Sequence, residues 1–232
     1  AVAYHRHMKE NEIKRMVGDR VFNRFWPDRL YNHDAEDPDQ LAYLGKTDAG
    51  EEVELSKAAV ESDLIVYVNL NLVPMDGGHK SVGVGLCSGR TLAAHHNPRT
   101  MMEGGSYMTP ENSGLHRSVD RIGRFINKQL NIFHIESTVN NRMFDGNLDF
   151  LAKNPDDYSS FEKFKLRSTL FALDRLPQAA RQEIFDRYRA PYAVTGVFAG
   201  ETEACHKHTV DKCYEQYLVD VEGQADIQIT GI

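Results

Sequence analysis

The fold is decided by one stretch of the sequence, Asp63-Leu64-Ile65-Val66-Tyr67-Val68-Asn69. Most of its residues favour a β-strand, and apolar residues occupy both alternating faces. A strand that is apolar on both faces is typical of a parallel sheet covered by helices. We therefore expect a central parallel strand here.

The pattern on the carboxyl side of this strand extends the prediction to a whole sheet. Leu115, Val119, Ile122 and Ile126 step by four, three and four, which predicts an amphipathic helix that leads into a strand over residues 132–139. Strand, helix and strand in succession indicate a parallel connection. We expect an α/β fold with a doubly wound, mostly parallel sheet and helices on both faces. Further predicted elements are helices over 10–17, 56–61, 92–96 and 201–218, strands over 30–33, 41–44, 53–55 and 193–199, and a turn over 46–50.

Residues 145–190 differ from the rest, because they read as two compact helices, the second starting at Pro177. We interpret them as a helical insertion within a domain spanning 1–232. Both ends, 1–4 and 225–232, have strand-like sequences that look interrupted, so we expect a fragment of a longer protein.

Composition excludes several classes of protein. The 232 residues carry a net charge of −7, which disfavours nucleic acid as a partner. No apolar run approaches the roughly 20 residues of a membrane helix. Three scattered cysteines fit neither a disulfide framework nor a zinc site, so we expect a reducing, cytoplasmic setting without a membrane partner.

The first candidate site is Gly77-Gly78-His79-Lys80, which follows the central strand. Ligands of open α/β sheets bind beyond the carboxyl ends of the strands, and a lysine there can bond to a carbonyl or contact a phosphate. The alternative is a tight turn with a solvated lysine. The amides around Gly83 and Gly85 are a further candidate anion cradle.

Histidines supply the other candidates. His95-His96 includes a candidate metal ligand, although a helix end that simply favours His explains the same residues. His5-Arg6-His7 offers a general base, with a solvated loop as the alternative. A zinc hydrolase is disfavoured, because the chain has no HExxH spacing. Weaker candidates, each with a structural explanation, are Asn32-His33-Asp34, Cys87, Cys205, Cys213, His206 and His208.

Several of these stretches, in the same order, resemble the N-terminal domain of the lactate racemase family. The matching stretches include Ala3-Tyr4-His5-Arg6, Leu30-Tyr31-Asn32-His33-Asp34, Gly77-Gly78-His79-Lys80-Ser81-Val82, Ala94-His95-His96-Asn97, and Val197-Phe198-Ala199-Gly200-Glu201 with His206. The resemblance leaves out the helical insertion.

This resemblance implies a 2-hydroxy acid racemase or epimerase, an isomerase, that uses a nickel-pincer nucleotide. Lys80 corresponds to the attachment point of the cofactor, with Gly77, Gly78 and His79 beside it. His96 corresponds to the nickel ligand and His5 to one of two catalytic histidines. The cofactor takes a hydride from C2 of the substrate and returns it to either face, so a proton must also leave the hydroxyl.

The position of the family's second catalytic histidine is occupied by Leu70. Either His79, His95 or Asp76 takes its place, or the substrate and stereochemistry differ. The alternative function is a non-catalytic metal- or anion-binding α/β module that has lost this base. Two further family features lie outside these residues, an upstream Asp-x-Thr-Arg segment and a C-terminal domain. We therefore expect that domain as a partner, and poor substrate binding by the chain alone.

Overall fold

The computed structural model describes residues 5–104, 109–139, 144–153, 155–189 and 191–217. The strands are β1 (Leu41–Lys46), β2 (Glu52–Ser56), β3 (Ile65–Asn71), β4 (Ile132–Val139) and β5 (Val194–Gly200). The helices are α1 (Glu10–Val17), α2 (Asp19–Phe25), α3 (Lys57–Val60), α4 (His79–Gly85), α5 (Gly89–His95), α6 (Pro98–Met102), α7 (Gly114–Asn127), α8 (Ser160–Asp174), α9 (Gln178–Tyr188) and α10 (Thr202–Tyr217). The strands predicted at 1–4 and 225–232 lie outside the described residues.

The α/β fold class is confirmed. β3 and β4 pair in parallel, from Ile65 opposite Ile132 to Asn71 opposite Thr138, and the strand order is β3-β4-β5. β1 and β2 form a separate antiparallel hairpin around the predicted turn. The carboxyl ends of β3 and β4 therefore lie side by side, and the loop to α4 starts there.

One face of this sheet carries the main core. The spacing predicted for α7 buries Leu115, Val119, Ile122 and Ile126, because residues four and three apart lie on one side of a helix. Val53, Leu55, Val82 and Cys87 pack with Ile122 and Ile126 in one buried cluster. The core thus fixes α4 and α7 relative to the hairpin.

The opposite face of β3 is not covered by the described residues. Val66, Val68 and Leu70 are 50%, 67% and 46% exposed. Among the described residues, the predicted helical cover is therefore present on one face. The apolar sequence of β3 is typical of a strand buried on both faces. Among the described residues, only its odd-numbered side chains pack against other elements.

Two local predictions were wrong. Residues 30–33 do not form a strand, because the Asn32 side chain bonds both the N–H and the C=O of Met8 in place of a backbone ladder. Gly83 and Gly85 are not an anion cradle, because both lie inside α4. A Cβ placed on Gly83 would lie 3.6 Å from Ile122, an ordinary van der Waals contact.

Residues 139–195 form a second compact unit. Leu148, Phe150 and Tyr158 are its buried residues, and they lie in the segment before α8. α8 has no buried residue, and Phe161 and Phe164 are among its exposed side chains. The predicted helical insertion at 145–190 falls within this unit.

Candidate functional site

Lys80 lies in the first turn of α4, directly after the loop that leaves β3. Its Nζ is 3.6 Å from Oδ1 of Asp76, and its side chain is only 19% exposed. The amine is thus held at the edge of the buried region by a single carboxylate. Such an amine remains available for covalent chemistry, because no further ion pair of Lys80 occurs among the described residues.

His95 and His96 form a chain of hydrogen bonds at the end of α5. His95 is fully buried, with Nε2 3.2 Å from the carbonyl oxygen of Gly83 and Nδ1 2.7 Å from Nδ1 of His96. Burial, with smaller effects of charged neighbours, lowers the pKa of His95 to about 4, so its ring is neutral near pH 7.

The Gly83 carbonyl fixes the tautomers of both rings. A carbonyl only accepts, so the proton of neutral His95 lies on Nε2, and its Nδ1 must accept from His96. His96 then donates through Nδ1, and its Nε2 carries a lone pair. A neutral imidazole oriented by a hydrogen bond at its other nitrogen is the usual form of a metal ligand.

The charge of Lys80 acts on two imidazoles. Partial burial of the ring, followed by the charge of Lys80, lowers the pKa of His96. Burial and then Lys80 also lower the pKa of His116, which is buried at the start of α7. That Lys80 and His96 meet at one centre stays a prediction.

A buried carboxylate, Glu136, organises the loop that precedes Lys80. It is 0% exposed on β4, and its Oε1 accepts from the N–H of Gly78 at 2.6 Å. Its Oε2 accepts from Nδ2 of Asn71 at 3.1 Å and lies 3.2 Å from Nδ1 of His206. Burial alone would raise the pKa of Glu136, but these bonds and His134 hold it well below its ordinary value.

The two glycines before Lys80 are required by this network. Gly77 has φ +88°, and a Cβ there would contact Asn71 and lie 2.6 Å from Oε1 of Glu136. Gly78 has φ +56°, and its Cβ would lie 2.6 Å from the His206 ring. Packing against the protein's own side chains therefore explains both glycines without a ligand.

His79 also has internal contacts. Its ring packs against Gly123 of α7, and its Nε2 is 3.1 Å from Oε1 of Glu203. The side chain is 6% exposed. Its assignment to cofactor binding stays a prediction, and the contacts seen here position α4 against α7 and α10.

His5 lines a different cavity, of about 410 Å³, together with His7, Tyr31, Asn32 and His33. Neither Lys80 nor His96 is among its lining residues. His33 ties this cavity to the core, since its Nε2 is 3.0 Å from the carbonyl oxygen of Cys87. That His5 meets Lys80 and His96 at one centre stays a prediction.

The sequence offers three substitutes for the absent histidine at Leu70, and all three have contacts within the protein. His95 has both ring nitrogens bonded, His79 is buried against Glu203, and Asp76 accepts from the N–H of Leu72 at 3.2 Å beside Lys80. The sequence did not predict Glu136, nor that His206 pairs with it. The signal that was available is the alternation of His134, Glu136 and Thr138 on β4, where polar residues occupy the buried positions.

The donor set fits the implied nickel-pincer nucleotide. The described residues contain no group of three His, Cys, Asp or Glu side chains placed to hold a metal ion. By the family resemblance, the nickel of this nucleotide would need one protein ligand, and Nε2 of His96 has no partner among the described residues. Within the described part of the chain, the three cysteines are free and buried, and no helix is long and apolar enough to cross a membrane.

Comparisons with known proteins support the family resemblance. Residues 1–108 match the family model described as the lactate racemase N-terminal domain. The lactate racemase apoprotein from Thermoanaerobacterium thermosaccharolyticum matches 93% of this chain with 16% identity and a TM-score of 0.59. A protein from Thermotoga maritima, solved by structural genomics, matches 91% with 14% identity and a TM-score of 0.50.

The chain spans 40% and 43% of the lengths of these two structures. At such identities the structural matches establish the fold alone. A comparison with curated proteins found no match. Residues 1–108 thus carry the sequence pattern of the lactate racemase N-terminal domain, and the family resemblance inferred from Lys80, His96 and their neighbours is confirmed.

Proposed function

We propose that this chain is the cofactor-bearing part of a 2-hydroxy acid racemase or epimerase that uses a nickel-pincer nucleotide. One observation carries the proposal: within the residues that match the lactate racemase N-terminal domain, the hydrogen bonds of His95 leave Nε2 of His96 available to bind a metal. Substrate, by this proposal, is a small 2-hydroxy acid, and the family's C-terminal domain is the partner that completes its pocket.

The residues divide the chemistry between them. Lys80 would hold the nucleotide through its Nζ, and His96 would bind the nickel through Nε2. When bound, the nucleotide supplies a reversible acceptor for the hydride at C2 of the substrate. His5, with a side chain exposed in its cavity, would take the hydroxyl proton. The free, buried cysteines suit a reducing, cytoplasmic compartment.

A non-catalytic binding module remains the second candidate, and Leu70 is the observation that favours it. Its side chain is 46% exposed on the uncovered face of β3 and has no group that transfers a proton. The two candidates differ in one respect that is simple to measure, since a module that only grips an anion or a metal has no need of a covalent cofactor.

Intact-mass measurement tests the proposal. The natural full-length protein would be produced together with the enzymes that synthesise the cofactor. We expect an adduct that is absent from Lys80→Ala and retained by Lys57→Ala, a matched change at an exposed lysine. His96→Ala should lower the nickel content. No adduct on the parent protein, or an adduct that persists in Lys80→Ala, would favour the binding module.

A further inference from the structure

The uncovered face of the three-stranded sheet is apolar on both of its parallel strands. In the register of β3 and β4, Val66 lies opposite Phe133, and Val68 lies opposite Ile135. These four side chains therefore point to the same side of the sheet. Val66, Val68 and Phe133 are each at least 40% exposed, and Ile135 is half-buried. The side of the sheet away from α4 and α7 is thus an extended apolar surface.

β5 continues this surface on the far side of β4. A Cβ placed on Gly196 would lie 3.1 Å from Oγ1 of Thr138, a buried side chain, so Gly196 belongs to the covered face. Because adjacent positions of a strand alternate, Val197 points to the uncovered face, where it is 62% exposed. We define the open face by five residues, Val66, Val68, Phe133, Ile135 and Val197.

The chemistry of the open face differs from that of a solvated sheet. A sheet face that meets water normally carries polar side chains. The outward positions within 66–70, 133–137 and 197–199, all of which are described, include no charged side chain. A contiguous apolar surface of this kind marks a place where another element packs.

The dimensions of the open face match those of one α-helix. Neighbouring strands lie about 4.8 Å apart, so the outer two of three strands are roughly 10 Å apart, close to the diameter of a helix. The seven residues of β3 extend about 23 Å, the length of a helix of about 15 residues. The complementary surface is an aliphatic stripe with the spacing i, i+3, i+4 and i+7.

The fold indicates where this helix comes from. Parallel strands such as β3 and β4 are normally covered by helices on both faces, and the described residues supply helices to one face only. The lactate racemase apoprotein shares the fold over 93% of this chain, but this chain spans 40% of that structure. A second copy of the chain would stack sheet on sheet, which is typical of antiparallel sandwiches. The same polypeptide, outside residues 1–232, is therefore the best source of the helix.

We propose that the open face is an internal docking surface, covered in the natural full-length protein by an amphipathic α-helix from outside residues 1–232. Aliphatic side chains of this helix would pack on the valines and on Phe133, and its polar side would face solvent. The proposal does not depend on the nickel-pincer chemistry, because it rests only on the packing of the sheet.

Cysteine labelling of the natural full-length protein tests whether the open face is covered. We expect Val68→Cys to react with a maleimide about 100-fold more slowly in the folded protein than in urea, because the covering helix must open first. Mass spectrometry of the labelled peptide separates this signal from that of other cysteines. The control is Met102→Cys, at a residue that is 84% exposed, which should react at nearly equal rates in both conditions. Equal rates for Val68→Cys would overturn the proposal.

Photo-cross-linking identifies the occupant. With p-benzoylphenylalanine in place of Phe133, we expect cross-links to a segment outside residues 1–232 whose apolar residues have helical spacing. Cross-links to residues 1–232 of the same chain, to a second copy, or to no segment at all would contradict the proposal. Neither measurement needs the cofactor, so absence of a Lys80 adduct would contradict the proposed function alone.

Discussion

Two buried glutamates show how similar carboxylates serve different purposes in this molecule. Glu51, after the β1–β2 turn, accepts from Thr47, Ser118 and Arg121, and these bonds attach the hairpin to α7. Glu136 accepts from Gly78 and Asn71 and pairs with His206. The guanidinium of Arg121 cannot release a proton, whereas the imidazole of His206 can. The comparison teaches that buried carboxylates can serve different contacts, since Glu51 joins the hairpin to α7 and Glu136 shapes the loop before Lys80.

The largest expected effect on stability comes from removing Glu136. Glu136→Ala leaves the Gly78 N–H and one N–H of the Asn71 amide without an acceptor in a fully buried position, so we expect the free energy of unfolding to fall by about 3–5 kcal/mol. Urea denaturation measures this loss. A change below about 1 kcal/mol would show that water or another group satisfies these donors.

Glu51→Ala should have a smaller effect in the same experiment. Arg121 has a side chain that is 44% exposed and can turn to solvent when its partner is lost. We expect a loss of about 1–3 kcal/mol, because mainly the hydroxyl donors of Thr47 and Ser118 are left unpaired. A loss greater than that of Glu136→Ala would reverse the comparison.

Two glycine substitutions measure how tightly the side chains around Glu136 are packed. Gly77→Ala places a Cβ against Asn71 and Glu136 at φ +88°, whereas Gly50→Ala has φ +84° and nothing within 4 Å. The positive φ costs each variant about 1–2 kcal/mol. We expect Gly77→Ala to lose roughly 2 kcal/mol more than Gly50→Ala because of overpacking, as measured by thermal or urea unfolding. Equal losses would mean that the network readily moves aside.

Acid should destabilise both regions in a defined pH window. The pKa values of Glu51 and Glu136 are held below their ordinary value of 4.5, despite burial, by hydrogen bonds from their partners. Their stabilisation is therefore fully present above about pH 4.5 and is lost as the pH falls towards the folded-state pKa values. Each carboxylate contributes a slope of up to about 1.4 kcal/mol per pH unit. Glu136→Gln should flatten the measured pH dependence of unfolding below pH 4.5, and an unchanged slope would contradict this account.

The smallest effect is expected at an exposed ion pair. Arg99 and Glu103 are i,i+4 neighbours at 2.8 Å, and both are exposed. Arg99→Ala should change the free energy of unfolding by no more than about 0.5 kcal/mol. The loss in this variant is the reference against which the losses at the buried carboxylates are compared. A larger loss would mean that Arg99 supports a further contact.

The sequence predicted what depends on local spacing. β3, β4 and α7 follow from apolar patterns within single segments, and the candidates Lys80 and His96, sixteen positions apart, come from a family motif. The Glu136 network could not be predicted in the same way, because Glu136 is 58 residues from Gly78 and 70 from His206. The only signal in the sequence is that polar residues occupy the buried positions of β4. Which residues they contact, Asn71 and the loop before Lys80, is known only once the register of β3 against β4 is known.

The central claim is that this site moves a hydride and a proton separately, and isotope retention tests it most directly. The natural full-length, cofactor-loaded protein would be given one enantiomer of a 2-hydroxy acid, beginning with lactate, deuterated at C2 in ordinary water. If the hydride is transferred and returned, the opposite enantiomer keeps its deuterium. Replacement of the deuterium by solvent protium would show that C2 is deprotonated instead, and would contradict the assignment of Lys80 and His96 to a hydride-accepting centre.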